Sequence, residues 1–506
     1  MNAESGKSLS IWAATYDVPE FGPLENDTHA DICVIGAGIT GLLTACRLSS
    51  KGKKVVVVED GSIGSGETAR TTAHISSVID DRFYEITRLH GEETCRLAAE
   101  SQLTALNMIE DLVIRYGIDC DFRRLNGYLI FRPEEDADDL ENEYHAAIKA
   151  GIDTQILPGA PIEFASSYPC LMFPMQAEFH VLKFITAISK LVISNGGKIY
   201  TNTHVKKIKE EDDRVKIITS EGKIITAEHA IACTNSPISD YFKIHVKQAA
   251  YRTYVTGFKI EKGTVPEGLF WDNEDPYHYI RTYNDGQDEI LIVGGEDHRT
   301  GQEEDPEKRY ENLVQWTLSN IPAAGEIKYK WSGQVMEPVD GLSLIGPDPE
   351  SKGRVYISTG DSGMGITHAA FSSIILTDLI CGIENPWAKI YDPSRITLKA
   401  APEFIKEGFN TAVQYVDFLT PPEKSDTDDI EPGTGAIMET GSDKLAVYKD
   451  TSGRIYKFSA ICPHLKCVVE WNKAEKTWDC PCHGSRFDAM GKVINGPALA
   501  DLKSVN

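Results

Sequence analysis

The chain has 506 residues, of which 41% are hydrophobic and 25% are charged, and its formal net charge is −25 at pH 7. This length predicts about three domains, and the negative charge disfavours nucleic acids and anionic lipid surfaces as partners. No apolar run approaches the ~18 residues that a membrane-spanning helix needs, and the first residues lack the apolar segment of a signal peptide. We therefore expect a cytoplasmic protein without a membrane span.

The first predicted unit is a buried strand, a glycine turn and a helix. The turn reads Gly36-Ala-Gly38-Ile-Thr-Gly41, and Glu59 ends the next apolar strand. Glycines let the backbone approach a pyrophosphate, the helix N-terminus offers free N–H groups, and an acidic residue at this spacing meets a ribose hydroxyl. The segment therefore predicts a dinucleotide site.

The following residues predict mainly helices and strands around that site. A stretch of small residues, 61–74, would let a flat ligand lie against the backbone. Apolar recurrence predicts a helix over 82–116, and residues 134–143 form an acidic, solvated helix face. A further helix is predicted over 184–195, followed by strands that include Val205.

Residues 246–300 alternate aromatic, branched and basic side chains, which predicts an antiparallel sheet. Arg252, Tyr279 and Arg281 lie on these strands. An arginine offers a planar fork for a carboxylate, so these residues either clamp a substrate or are ordinary residues of the sheet.

A second glycine-rich strand-to-helix turn follows much later, with Gly360, Gly363, Gly365 and Thr367. Together with the first turn, it resembles the D-amino-acid oxidase superfamily of flavoproteins. The resemblance implies that the first turn holds the ADP half of FAD and that the second contacts the flavin. The implied FAD-binding residues are Gly36, Gly38, Gly41, Glu59, Arg70, Thr71, Thr72, Val205, Gly360, Gly363, Gly365 and Thr367.

The same resemblance implies the fold and the substrate pocket. It predicts an α/β Rossmann-like FAD-binding domain of the glutathione-reductase type with an antiparallel-sheet substrate domain, over residues 28–395 after an extension, 1–27. The FAD-binding segments would be about 28–95, 160–240 and 330–395, and the substrate-binding segments about 96–159 and 241–329. His74 would lie next to the flavin, as a covalent attachment point or as a packed residue, and the candidate catalytic residues are His74, Arg252, Tyr279 and Arg281.

A change of composition separates this region from the C-terminal part. Residues 395–419 predict a closing helix, and the proline-rich acidic stretch after it predicts a linker, so that 396–428 connects the two parts.

The C-terminal part, 429–506, contains two short motifs with thiol and imidazole ligands. They are Cys462-Pro-His464 and Cys480-Pro-Cys-His483. Zinc also binds two cysteines and two histidines, but its first two ligands are usually two to four residues apart. Two histidines replacing two cysteines on one iron of a [2Fe–2S] pair define a Rieske centre, and the motifs favour that interpretation.

The two motifs resemble the cluster-binding loops of the Rieske family, with Gly496-Pro-Ala resembling its proline loop. The resemblance implies a small all-β domain, cluster ligands Cys462, His464, Cys480 and His483, and a disulfide between Cys467 and Cys482. Two free thiols beside the cluster are the alternative, since disulfides are rare in the cytosol. Ser485 matches a hydroxyl donor to the cluster, whereas Phe487 replaces a tyrosine, which predicts a potential below that of the respiratory high-potential centres.

These features predict an enzyme that oxidises a small amine or amino acid at a C–N bond with FAD. Electrons would leave singly through the Rieske cluster to a one-electron acceptor or electron-transfer protein. Three alternatives remain open: a Rieske oxygenase, an amine oxidase that uses O₂ and has a structural or regulatory cluster, and a redox sensor without catalysis.

Overall fold

The computed structural model describes residues 6, 8–132, 137–238, 242–303, 305–401, 424, 426–440 and 443–505. The helices in this part of the chain are α1 Ile11–Thr15, α2 Ile39–Ser50, α3 Phe83–His90, α4 Glu92–Tyr116, α5 Ala137–Ala150, α6 Val181–Ser194, α7 Phe242–His245, α8 Pro306–Asn320 and α9 Gly365–Ile380.

The strands are numbered in the same way, in chain order. They are β1 Thr28–His29, β2 Ile32–Ile35, β3 Val55–Val58, β4 His74–Ile75, β5 Arg123–Ile130, β6 Gln155–Leu157, β7 Cys170–Glu178, β8 Lys198–Tyr200, β9 Val205–Glu210, β10 Val215–Thr219, β11 Ile224–Ala227, β12 His229–Ala232, β13 Gln248–Ile260, β14 Leu269–Asp272, β15 His278–Asn284, β16 Glu289–Arg299, β17 Ile327–Pro338, β18 Leu344–Pro347, β19 Val355–Thr359, β20 Thr434–Thr440, β21 Asp443–Lys449, β22 Ile455–Ser459, β23 Glu470–Asn472, β24 Thr477–Asp479, β25 Arg486–Asp488 and β26 Val493–Asn495.

The nucleotide-type sheet has the strand order β18-β19-β12-β2-β3-β8, with parallel neighbours except at β18. Every residue of β2 and β3 is buried, as expected for parallel strands that are covered on both faces. Val34 and Val57 pack in one core with α2, α6 and α9. Cys33 and Val56 point the other way, into a core shared with the small sheet β1-β11-β10-β9.

A second, larger sheet has the order β17-β13-β16-β15-β14-β5-β7-β4, with β6 paired to β7. The predicted antiparallel sheet over 246–300 is confirmed by β13, β15 and β16. The sheet also includes β7, which lies in a predicted FAD-binding segment, and β17, most of which does. Each of these strands pairs with a neighbour from a predicted substrate-binding segment, and the segment boundaries remain a prediction.

Two further predictions about helices are corrected or fall outside the described residues. The helix predicted over 82–116 is divided into α3 and α4 at Gly91, whose φ of +90° ends the first helix. Most of the closing helix predicted over 395–419 lies outside the described residues, and the described part contains a short 3₁₀ turn at Leu398–Ala400.

The N-terminal segment packs into the large hydrophobic core around α2, α6 and α9. Trp12 on α1 is fully buried and its indole N–H donates to the Thr71 carbonyl oxygen at 2.6 Å.

The C-terminal domain consists of the sheets β20-β21-β22 and β23-β24-β25-β26, in agreement with the all-β prediction.

Candidate active site and cluster site

A cavity of about 340 Å³ lies between the two large sheets. Its walls come from the turn after β2, the end of β3, the segment 66–80, β9, β15 and the turn before α9. Parallel strands carry their loops to one edge of a sheet, which is where α/β proteins bind nucleotides. The cavity therefore occupies the position predicted for the dinucleotide.

The first glycine turn has a shape that larger residues cannot adopt. Gly36 has φ +101°, and a Cβ there would lie 2.3 Å from the Cys233 carbonyl oxygen. A Cβ at Gly41 would lie 1.9 Å from the Gly36 carbonyl oxygen. Gly36 and Gly38 line the cavity, whereas Gly41 lies behind them. The turn thus exposes backbone to the cavity, as a bound pyrophosphate requires.

Glu59 lies beside this turn at the cavity wall. Its carboxylate accepts hydrogen bonds from the N–H groups of Ala37, at 2.6 Å, and Gly61, at 3.1 Å. Burial raises the pKa of Glu59 despite these two donors. The fixed carboxylate suits a ribose hydroxyl donor.

The other predicted FAD-binding residues fall into two groups. Arg70, Thr71, Thr72, Val205, Gly363 and Gly365 line the cavity, while Gly360 and Thr367 shape the second turn from outside the wall. Arg70 directs its guanidinium away, and Nη1 donates to Ser8 Oγ and to the Ser332 carbonyl oxygen, both at 2.8 Å.

His74 and Tyr279 lie at the end of the cavity beneath the large sheet. Their rings meet edge to face with centroids 5.8 Å apart. Burial, together with the charge of Arg281, lowers the pKa of His74 to about 3, so the imidazole is neutral at ordinary pH. The Tyr279 hydroxyl lies 2.8 Å from Thr253 Oγ1.

Arg252 and Arg281 lie outside the cavity wall, and their positions do not support the predicted carboxylate clamp. Arg281 forms an ion pair with Glu178 at 2.9 Å and donates to the carbonyl oxygens of Thr72 and Ala73. Arg252 is fully buried and lies 3.8 Å from Glu475 of the C-terminal domain. Both side chains satisfy buried acidic or carbonyl groups, which explains their positions.

The four predicted cluster ligands converge in the C-terminal domain. The rings of His464 and His483 have centroids 5.2 Å apart. The thiols of Cys462 and Cys480 interact, which lowers the pKa of Cys462 and raises that of Cys480. Neither ring nitrogen of buried His483 has a hydrogen-bond partner among the described residues. Two neighbouring thiols and an imidazole without a hydrogen-bond partner among the described residues fit a [2Fe–2S] cluster of the Rieske type.

Cys467 and Cys482 form a disulfide across the two ligand loops, with Cα atoms 6.4 Å apart. Ser485 interacts through its hydroxyl with Cys462, and it also accepts a hydrogen bond from the Ala498 N–H at 3.1 Å. Phe487 is fully buried and has no hydroxyl to offer. The geometry therefore agrees with one hydroxyl donor at the cluster.

The C-terminal domain completes the wall of the cavity. Residues 493–496, Ala498 and Leu499 line it. Asn495 Nδ2 donates to Glu67 Oε1 at 3.1 Å, and Gln334 Nε2 donates to the Gly484 carbonyl oxygen at 3.1 Å. The two domains thus enclose one space.

Comparison with known proteins identifies both parts. Residues 31–379 match the family described as DAO, FAD dependent oxidoreductase, and residues 423–506 match the Rieske [2Fe-2S] domain. The chain belongs to the DAO family. It is an FAD-dependent oxidoreductase with a Rieske [2Fe–2S] domain, and this match favours the iron–sulfur interpretation of the C-terminal motifs over zinc.

The proteins similar to this chain match either nearly all of it or about three quarters of it. A Bacillus subtilis protein named putative Rieske 2Fe-2S iron-sulfur protein YhfW is 32% identical over 98% of this chain and 97% of its own length. Escherichia coli gamma-glutamylputrescine oxidoreductase is 22% identical over 72% of this chain and 86% of its own length. Glycine oxidase from Geobacillus kaustophilus has a similar fold, with a TM-score of 0.61, 17% identity and coverage of 73% of this chain and 99% of that structure.

Two features of this DAO-family protein were missed by the sequence analysis. His245 on α7 is buried, with its ring centroid 4.7 Å from that of His464 and 5.9 Å from that of His483. Asp80, Trp271 and Tyr277 line the cavity beside Tyr279. The alternation over 246–300 predicts strands but not which residues meet, because these residues come together only when separate strands pair.

The described part of the chain contains no helix that is both long and apolar enough to cross a bilayer.

Proposed function

We propose that this oxidoreductase removes two electrons from a small amine or amino acid at a C–N bond and passes them singly to its Rieske cluster and then to an external acceptor. The observation that carries the proposal is the shared cavity, whose wall is completed by Rieske residues 493–496, Ala498 and Leu499. Because the cluster loops also contact β17 through Gln334, the two redox sites are close neighbours in one folded unit.

Within this proposal, named residues hold each cofactor. Gly36, Gly38, Glu59, Thr71, Thr72, Val205, Gly363 and Gly365 would contact FAD, while Gly41, Gly360 and Thr367 shape the two turns. Arg70 would support the segment 70–74 from behind. Cys462, His464, Cys480 and His483 would hold the cluster.

The bound flavin would supply a two-electron oxidation, in which a C–H hydrogen leaves with its electron pair and the amine loses a proton to give an imine. The chain would supply orientation and a water-poor site. Neutral His74 and the Tyr279 hydroxyl can hydrogen-bond an amine without placing positive charge beside it. The names of the relatives, an oxidoreductase for gamma-glutamylputrescine and a glycine oxidase, are consistent with amines and amino acids.

Anaerobic stopped-flow reduction with a panel of secondary amines and amino acids tests the proposal. We expect flavin bleaching by at least one compound, followed by the electron paramagnetic resonance signal of a reduced Rieske cluster. Bleaching without that signal, with peroxide release in air, would support an O₂-using oxidase. No bleaching with any compound would support a redox sensor.

The cytoplasmic location remains a prediction, to be checked by cell fractionation.

A further inference from the structure

The substrate end of the cavity is acidic. Asp80 lines it beside Tyr277 and Tyr279, and the Asp80 Oδ2 atom lies 3.3 Å from the position that a Cβ at Gly363 would occupy. Asp297 lies directly behind the wall, where the hydroxyls of Thr253 and Tyr277 are within hydrogen-bonding distance of its carboxyl group. Its Oδ1 atom is buried and has no hydrogen-bond partner among the described residues.

Further carboxyl groups stand behind this end, with little positive charge to balance them. The Ser362 hydroxyl lies 2.6 Å from both Asp81 Oδ2 and Glu337 Oε2, and one hydroxyl can donate to only one of them. Arg82 is the nearby cation, and it donates to the Asp80 backbone carbonyl oxygen and to Asn273. Burial raises the pKa of Asp297 to about 7, and the negative charge of Asp80 acts in the same direction. Such a shift is expected for a carboxyl group without a counter-charge.

Three aromatic rings form the same part of the wall. Trp271, Tyr277 and Tyr279 line the cavity, and the two tyrosine rings have centroids 5.6 Å apart. Aromatic faces attract ammonium groups, and the attraction is larger where water is excluded. Carboxyl groups beside such rings favour a cation over an anion.

The cavity also lacks a group that would bind a substrate carboxylate at this end. Arg70 is the one arginine or lysine among its described lining residues, and its guanidinium is held by Ser8 and Ser332. Arg252 and Arg281 are engaged elsewhere, and His74 is neutral. A substrate carboxylate at this end would lie beside Asp80, in front of Asp297, without a positively charged partner, which is costly in a buried site.

We propose that the substrate is an amine carrying a second positive charge and no carboxylate, such as an alkyl diamine, with the distal ammonium bound by Asp80 and the rings of Tyr277 and Tyr279, in front of Asp297. This inference rests on the proposed function and narrows its substrate class. The distal ammonium is not oxidised; the electron pair comes from the C–H bond next to the other nitrogen, as described above.

Anaerobic flavin reduction with three probes of matched length tests the inference. The probes are putrescine, butylamine and gamma-aminobutyrate, with glycine and proline as α-amino acids. We expect putrescine to reduce the flavin with the lowest KM. Reduction by glycine or proline but not by putrescine would overturn this inference while leaving the proposed function intact. No reduction by any amine or amino acid would instead defeat the proposed function.

A variant and a ligand that cannot be oxidised add independent readouts. Asp80→Asn should raise the KM for putrescine about tenfold or more, as loss of a charged hydrogen bond does, and should raise the KM for butylamine by a smaller factor. Asp153→Asn, at an exposed carboxylate, should change neither. Tetramethylammonium has no nitrogen lone pair, so it cannot be oxidised to an imine. Because it is a cation, it should still bind at the site, perturb the flavin spectrum of the wild type and compete with putrescine. Equal KM changes for both amines, or no competition, would contradict the proposal.

Discussion

The hydroxyl groups around the Rieske cluster act at the scale of single residues. Ser485 interacts with Cys462 through its hydroxyl, and Phe487 occupies a fully buried position that offers none. Hydrogen bonds to the cluster sulfurs stabilise the reduced, more negative cluster and so raise its potential. Because one hydroxyl donor is missing, this cluster should be a weaker oxidant than a cluster that has both the serine and the tyrosine hydroxyl.

Phe487→Tyr should raise the reduction potential of the cluster. A hydrogen bond worth about 1.4 kcal/mol corresponds to about 59 mV for a one-electron couple, so a rise of roughly 50 mV is expected. Redox titration followed by electron paramagnetic resonance measures it. Phe458→Tyr, at a buried phenylalanine on β22, should leave the potential unchanged. A potential in Phe487→Tyr equal to that of the wild type would contradict the assignment.

At the scale of secondary-structure elements, the turn between β2 and α2 decides whether the cavity can hold a dinucleotide. The turn needs a positive φ at Gly36, and a Cβ there would collide with the backbone at Cys233. The Cys233 carbonyl belongs to the backbone next to a strand and is not part of a flexible side chain. Moving it would therefore cost considerable free energy.

Gly36→Ala should therefore reduce the FAD content of the purified protein strongly. The ratio of flavin to protein absorbance measures this, and the Rieske spectrum checks that the C-terminal domain is still folded. Gly22→Ala provides the control, because a Cβ at Gly22 would meet nothing within 4 Å. Normal flavin content in Gly36→Ala would show that the turn does not bind the cofactor.

At the scale of the whole molecule, a buried ionic cluster joins the two domains. Glu475 of the Rieske domain lies 3.9 Å from Arg70, 3.8 Å from Arg252 and 4.0 Å from Arg486. It also accepts hydrogen bonds from Ser8 and Ser332. Burial by itself would raise the pKa of Glu475, but the three arginines outweigh it and lower the pKa to about 2.

Glu475→Gln should weaken the docking of the Rieske domain, since breaking a buried ion pair costs about 3–5 kcal/mol. The pKa of the folded carboxyl lies below its ordinary value of 4.5. Its stabilisation is therefore complete above that pH and is lost as the pH falls towards about 2. We expect a lower Tm at neutral pH and slower cluster reduction by the flavin. Glu431→Gln, at an exposed site, should change neither the Tm nor the rate of reduction. An unchanged Tm in Glu475→Gln would contradict the role of the buried ionic cluster in docking.

Much of the fold and of both cofactor sites could be predicted from local patterns. The glycine turn, the valine-rich strand β3 and Glu59 depend on neighbours close in sequence, because a strand, a tight turn and a helix start are local structures. The thiol and imidazole motifs of the Rieske domain are likewise confined to two short loops. The family matches and the observed sheets agree with these predictions.

The substrate end could not be predicted in the same way. Arg252 and Arg281 lie on the predicted strands. Arg281 pairs with Glu178 because the strands β7 and β15 belong to one sheet, and Arg252 pairs with Glu475 because the Rieske domain docks against β13. Asp80 lies beside Tyr277 although 197 positions separate them in the sequence. The sequence by itself determined which cofactors the chain binds, since short segments encode their ligands. The tertiary structure decided which charges face the substrate, because burial and pairing depend on residues far apart in the chain.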